Sequence, residues 1–234
     1  MLLTRSQVRV FYDRLGRKQD TQAFYEDAAI DDLISHVRFD QAESIFEFGC
    51  GTGRLASRLL TKHLPSSASY FGIDLSQTMV DISKQRVAPF AERAKVALSD
   101  GSILLPLHDR SVDQVISTYV LDLLSETDIR QLISEARRVL VPGGKLCLIS
   151  LTFGEAVLSR IISRLWLALF NWSALWVGGC RPIRLESFIS QRYWSIKYRN
   201  VVTQFAVSSE VLVANPKQTP NNAFNPDAPE PRAG

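Results

Sequence analysis

The sequence predicts an α/β protein with a doubly wound, Rossmann-like sheet that is mostly parallel and covered by helices on both faces. Three observations carry this expectation. Short apolar runs alternate with helix-period segments from residue 44 to 151. The first run ends in "FGCGTGR", where three glycines stand at alternate positions. Two strand-like runs after residue 190 follow each other with no room for a helix between them, which adds an antiparallel hairpin and makes seven strands in all.

The elements follow in order. Residues 1–40 read as helical, with apolar residues three and four apart in "TQAFYEDAAIDDLISHV". The spacing predicts strands at 44–48, 69–73, 95–99, 112–117 and 145–151, and helices at 54–61, 76–87 and 126–140. Ser76 suits a helix N-cap. "VPGG" at 141–144 predicts a turn that ends the preceding helix. Parallel strands need such crossovers, and those are right-handed. The hairpin is expected at 193–202 and 208–214. Residues 1–214 form one domain in this reading, with 1–40 as a helical lid. The Pro-, Asn- and Ala-rich stretch 215–234 is expected to be disordered.

Composition bounds the function. The 234 residues are 46% apolar and 22% charged with a net charge of +3, which is ordinary for a globular chain and too weak a positive balance to argue for nucleic acid. Cys50, Cys147 and Cys180 are odd in number and far apart, so neither a disulfide framework nor a zinc site is expected. No apolar run reaches the length of a membrane span, and the cytoplasm is the default expectation.

The glycine turn sits where the first strand meets the first helix of the alternating series, the crevice in which doubly wound sheets bind ligands. Bare backbone at Gly49, Gly51 and Gly53 lets a ligand lie against it, and the amides opening the next helix point the same way. The pattern E-x-G-x-G-x-G, Glu47 to Gly53 with Cys50 inside the turn, is not the dinucleotide fingerprint, because Arg54 stands where that needs its third glycine. Asp74 ends the second strand 21 residues later, where a carboxylate can accept both hydroxyls of a ribose. "SDGS" ends the third strand. Asp100 there could accept from an adenine amino group and the Gly101 and Ser102 amides could meet the ring, although an Asp-Gly pair also suits a plain turn.

"EFGCGTG", "GIDLS", "SDGSILLPL" and "EARRVLVPGGKL" together resemble the successive motifs of class I S-adenosylmethionine-dependent methyltransferases, over roughly residues 8–214. They are especially similar to the branch that holds the ubiquinone, menaquinone and phospholipid methyltransferases. The resemblance implies that the 49–53 turn holds the methionine part of the cofactor and that Asp74 takes the ribose. It also implies that Leu75 flanks the adenine, that Asp100 and Gly101 meet its edge, and that Ser117 lies near the sulfonium. "FYDRLGRKQD" is similar to the family's entry helix, which implicates Tyr12. That helix's second tyrosine is Gln19 here, and Tyr25 is a substitute. Methyl transfer from a sulfonium is an in-line displacement that asks mainly for alignment and exclusion of water. If the acceptor must lose a proton, Tyr119, Asp122 and His108 are the candidate bases.

Residues 155–200 hold seven basic residues against Glu155 and Glu186, together with Trp166, Trp172 and Trp176. As one helix, 158–177 puts Arg160, Arg164 and Asn171 on a narrow stripe and the large apolar residues opposite. This segment reads either as the sheet's last helix, buried on its apolar side, or as an acceptor pocket or lipid surface, with Arg181 or Arg184 offered to an acidic group. The expected partner is a small-molecule or lipid acceptor, with peripheral membrane contact through 155–180 and no nucleic acid. Protein or nucleic-acid methylation, or a non-catalytic nucleoside-binding module, are the alternatives.

Overall fold

A computed structural model describes residues 2–217. Seven strands, β1 (Ser44–Phe48), β2 (Ser69–Asp74), β3 (Ala94–Leu98), β4 (Val112–Thr118), β5 (Leu140–Leu151), β6 (Trp194–Gln204) and β7 (Val207–Pro216), form one sheet in the order β3-β2-β1-β4-β5-β7-β6. The first five pair in parallel, and β7 pairs antiparallel with both β5 and β6. The order turns back between β1 and β4, which opens a crevice at their carboxyl ends.

Each face of the sheet carries its own core. On one side α5 (Glu126–Val139) lays Ile129, Leu132 and Ala136 over Phe46, Val115 and Leu148. On the other, α2 (Ala23–His36), α3 (Arg54–Lys62) and α4 (Gln77–Val87) cover Ile45, Ile116 and Ile149 with Leu33, Leu59 and Val80. Burial on both sides explains the near-continuous apolar runs of the central strands. Edge strand β6 carries Lys197 and Arg199, charges that discourage further strand pairing. Ser76 caps α4 as expected, accepting from the Met79 amide at 3.2 Å.

Two elements depart from expectation. The 141–144 segment is not a free turn: β5 begins at Leu140, and its register with β4 shifts between Val112 and Gln114. The Asn215 side-chain amide donates to the carbonyls of Gly143 and Gly144, both at 2.9 Å, and draws this bulge onto the sheet. Asn215 and Pro216 belong to β7, so the last strand runs into the expected tail; residues 218–234 lie outside the described residues.

The second departure is α6 (Val157–Trp172). It does not bury its apolar side on the sheet. The residues it buries are Ser159, Ser163 and Phe170, whereas Leu158, Leu165, Leu169, Trp172 and, just past its end, Trp176 face outward. The small serine face is what docks: the Ser163 hydroxyl donates to the Ser159 carbonyl at 2.6 Å and accepts from the Gly154 amide at 2.9 Å.

The amino-terminal region, α1 (Arg5–Leu15) followed by a 3₁₀ stretch (Gly16–Gln22), is pinned across the carboxyl ends of β1 and β2. Asp13 accepts from the Ser76 hydroxyl at 2.6 Å and the Thr78 amide at 3.2 Å. Asp20 pairs with Arg86 at 2.6 Å and accepts from Thr52 at 2.6 Å.

The floor beneath the crevice is tight at Gly72. A Cβ there would meet the Tyr70 hydroxyl oxygen at 2.5 Å and Cys50 Cβ at 3.0 Å. Gly72→Ala is therefore expected to lower unfolding free energy by about 1–3 kcal/mol, the usual cost of overpacking a dense core, read from the urea midpoint.

Candidate active site

The site is built on the turn that leaves β1. The amides of Gly49 and Cys50 both donate to the Ile73 carbonyl, at 2.8 and 3.0 Å, and tie the turn to the end of β2. Gly51 is left-handed, φ +52°, and a Cβ on it would meet nothing within 4 Å, so its bare main chain faces open space. Its amide donates to one oxygen of Asp74 at 2.8 Å, and the Ser76 amide donates to the other at 2.9 Å. A carboxylate has about four acceptor positions, so Asp74 keeps capacity for further donors. Burial raises its pKa, against the amide donations that lower it.

A cavity of about 270 Å³ opens over this turn. One end is lined by Asp74, Leu75, Met79, Gly101 and Ile103. The other is lined by Thr118, Tyr119, Val120, Leu123 and Leu124. The α1 segment roofs it with Leu3, Arg5, Val8, Arg9 and Tyr12.

Most of the expected cofactor residues converge here: Tyr12, Glu47, Gly49, Cys50, Gly51, Asp74, Leu75 and Gly101 all line the cavity. Four do not. Gly53 packs against Ser83 as the N-cap of α3. Asp100 is exposed and closes a local turn by accepting from the Ser102 amide at 2.7 Å, and Ser102 accepts in turn from the Leu104 amide at 3.1 Å. Ser117 is buried and donates to the Phe48 carbonyl at 3.0 Å, while its neighbour Thr118 faces the cavity, because successive strand residues alternate sides.

Of the three candidate bases only Tyr119 lines the cavity. Its hydroxyl shares a hydrogen bond of 2.9 Å with Ser209, and burial raises its pKa. Asp122 lies fully buried behind the wall, its pKa raised by burial to about 7, and its Oδ1 has no partner among the described residues. His108 is exposed, away from the cavity. Arg181 is a strut, donating to the carbonyls of Asp122 and Leu124 at 2.9 and 2.6 Å. Arg184 stands over the Phe153 ring at 5.9 Å. Neither arginine lines the cavity. Among the described residues no group of three His, Cys, Asp or Glu side chains could hold a metal, and the three cysteines are unpaired.

Sequence reasoning missed Glu26. It comes from α2, lines the cavity, and is bridged at 2.8 Å by Arg54, which also pairs with Asp27. Burial outweighs the arginine and raises Glu26 to about 7. The signal was Arg54 itself: a cation beginning a helix beside a bare-backbone turn needs carboxylates opposite, and "YEDAAIDD" supplies them.

The residues present fit an adenosyl sulfonium: a bare-backbone cradle at Gly51, a carboxylate with spare acceptor capacity at Asp74, and a small residue, Gly101, closing the end beyond Leu75. Residues 45–144 match the family described as "Methyltransferase domain". The matched residues hold the glycine turn, Asp74 and Gly101, and support a class I S-adenosylmethionine-dependent methyltransferase. The chain is 29% identical over 161 residues to a malonyl-[acyl-carrier protein] O-methyltransferase from Marinomonas sp., covering 68% of this chain and 56% of the relative. It is 28% identical over 141 residues to a tRNA N(3)-methylcytidine methyltransferase of Schizosaccharomyces pombe, covering 56% of this chain and 46% of that protein. The chain spans about half the length of these two relatives. The fold is shared with geranyl diphosphate C-methyltransferase from Streptomyces coelicolor A3(2), whose structure holds S-adenosyl-L-homocysteine, at a TM-score of 0.62 and 14% identity over 81% of this chain and 78% of that one.

Beneath the cavity, Glu47 is 1% exposed and accepts from the Tyr70 hydroxyl at 2.6 Å, and burial raises its pKa from 4.5 to about 8. A raised carboxyl favours the protonated fold. Its stabilising contribution is complete below about pH 4.5 and is lost as pH climbs through about 8. Glu26 and Asp122 act in the same direction up to about 7. Urea midpoints are therefore expected to fall as pH rises across this range, and Glu47→Gln to remove the portion of the fall nearest pH 8.

Proposed function

We propose that this domain transfers the methyl group of S-adenosylmethionine to a small, largely apolar acceptor held between the glycine turn and α1. The observation that carries the reading is the cavity. Main chain and Asp74 lie at the ends of β1 and β2, and apolar Leu3, Val8, Leu123 and Leu124, with Tyr119 and Glu26, complete the lining. The sulfonium supplies an already activated methyl whose leaving group departs neutral. The chain's own residues then have three tasks. Asp74 orients the ribose through acceptor positions that the Gly51 and Ser76 amides leave open. The α1 roof, fastened by Asp13 and Asp20, keeps water out. Glu26, at about 7 and facing the cavity, takes the proton of an acceptor hydroxyl or amine.

Similarity to a tRNA methyltransferase favours one second reading, a nucleic-acid acceptor. Against it, the roofed cavity suits a small molecule, and of the arginines lining it Arg5 and Arg54 are already paired with Asp128 and Glu26. Assaying homocysteine-containing product release with tRNA, apolar phenols and long-chain acyl acids as acceptors separates these readings.

Calorimetry is expected to show binding of S-adenosylmethionine and of its demethylated product, and none of NAD. Binding of NAD alone overturns the reading. Gly51→Val fills the cradle and is expected to weaken cofactor affinity at least tenfold, at a cost in stability of about 1–2 kcal/mol for a side chain held left-handed. Glu26→Gln is expected to lower kcat about a hundredfold or more and to flatten the rise in rate that the parent enzyme shows through about pH 7.

A further inference from the structure

We propose that the outward face of α6 and the turn after it is a docking surface for an anionic lipid bilayer. The helix is inverted relative to a helix packed on a sheet. It buries two serines and a phenylalanine, and exposes Leu158, Ile161, Leu165 and Trp172. The 3₁₀ turn (Ala174–Val177) continues the surface with Leu175 and Trp176. Trp172 and Trp176 are 85% and 79% exposed and lie parallel, ring centroids 6.3 Å apart. Leaving two indoles in water while burying serines is unfavourable unless another apolar phase receives them.

Charge selects which phase. Arg160 and Arg164 are exposed on the same helix and make no ion pair among the described residues. No Asp or Glu occurs from residue 156 to 185. A two-fold contact between copies through α6 would bring these arginines together with no carboxylate from that stretch to meet them. An anionic headgroup layer supplies the missing countercharge, and tryptophan and arginine stems both suit the interface depth. No helix in the described residues is long and apolar enough to cross a membrane, so α6 lies in the plane of the surface.

The surface extends onto α1. Val10, Phe11, Arg14, Lys18 and Leu175 line a shallow groove between that helix and the 3₁₀ turn. The inner side of α1 carries Val8 and Tyr12 into the cavity. Trp166 donates to the Cys180 carbonyl at 3.0 Å, and the Cys180 sulfur lies 3.7 Å from the Tyr12 hydroxyl. The docking face and the cavity roof are thus parts of one packed unit.

Vesicle co-sedimentation tests this without cofactor or acceptor, so its failure leaves the methyl-transfer reading standing. The full chain is expected to sediment with vesicles of equal parts phosphatidylcholine and phosphatidylglycerol, and far less with phosphatidylcholine alone, with a blue shift of tryptophan emission on binding. Arg160→Gln with Arg164→Gln is expected to weaken partitioning onto the anionic vesicles roughly tenfold or more. Trp172→Ser with Trp176→Ser is expected to remove the blue shift and most binding while S-adenosylmethionine affinity, the check on folding, stays unchanged. A parent protein that remains in the supernatant with both vesicles overturns the proposal. So do variants that sediment like the parent. A vesicle-free dimer in analytical ultracentrifugation that the tryptophan variant dissociates assigns the face to a second copy and overturns it equally.

Discussion

Two amides, those of Gly49 and Cys50, share the carbonyl of Ile73, and the rest of the site depends on that pinned turn. The sheet places β1 beside β2 and β4, whose crossovers leave in opposite directions, so the end of β1 is where the layers part. A strand ending there has amides with no ladder partner. The turn gives two of them to the neighbouring strand and the Gly51 amide to Asp74, so Asp74 is held in place before any ligand arrives. With three main-chain amides committed, the turn cannot swing into the crevice, and the space above Gly51 stays clear.

That arrangement gathers acid groups in a dry place. Glu26, Glu47, Asp74 and Asp122 all have pKa values raised by burial. Among the nearby cations, Arg54 is bridged to Glu26, Arg5 is paired with Asp128, and Arg181 is occupied by main-chain carbonyls. A positively charged sulfonium entering the cavity meets carboxyl groups that burial has made reluctant to ionise. Each such group gains more from a nearby cation than it would in water, because the low local dielectric strengthens the attraction along with the desolvation penalty. The buried acids therefore cost stability in the empty fold and favour the charged ligand.

Much of this was legible in the chain. The alternation of apolar runs with helix-period segments located all five parallel strands to within a residue or two at most ends, because the central strands are buried on both faces and read as largely apolar stretches, while edge strand β3 alternates. β5 was the exception, since a bulge held by Asn215 is a tertiary contact no local pattern announces. The glycine turn was legible because positive φ at Gly49, Gly51 and Gly53 dictates that residue type, and Glu47 and Asp74 from their places in the motif and at the end of β2. Asp100 was noticed as half of an Asp-Gly pair, and in the structure it is exposed and accepts from the Ser102 amide within its own turn. Glu26 stayed hidden because its place depends on how α2 crosses α3, a matter of packing and not of period. Amphipathicity of α6 was visible, but periodicity gives the stripe and not the direction in which it points. Ser159 and Ser163, the residues that in fact face the protein, look unremarkable in sequence.

The short helix α1 ties these features together. Residues 8 and 12 share one side of it and residues 7, 10, 11 and 14 the other, a division set by helical spacing alone. The inner side roofs the cavity, and the outer side borders the exposed apolar surface of the 3₁₀ turn after α6. Its polar attachments to the body are the Arg5–Asp128 pair, the Tyr12–Cys180 contact, the two hydrogen bonds to Asp13 and, beyond its end, the Asp20–Arg86 pair. None of its own residues is fully buried. An element held by a handful of hydrogen bonds, with little buried apolar area, opens at a lower free energy than the sheet it covers. The roof is accordingly held less firmly than the glycine turn beneath it, which three amide hydrogen bonds tie to β2.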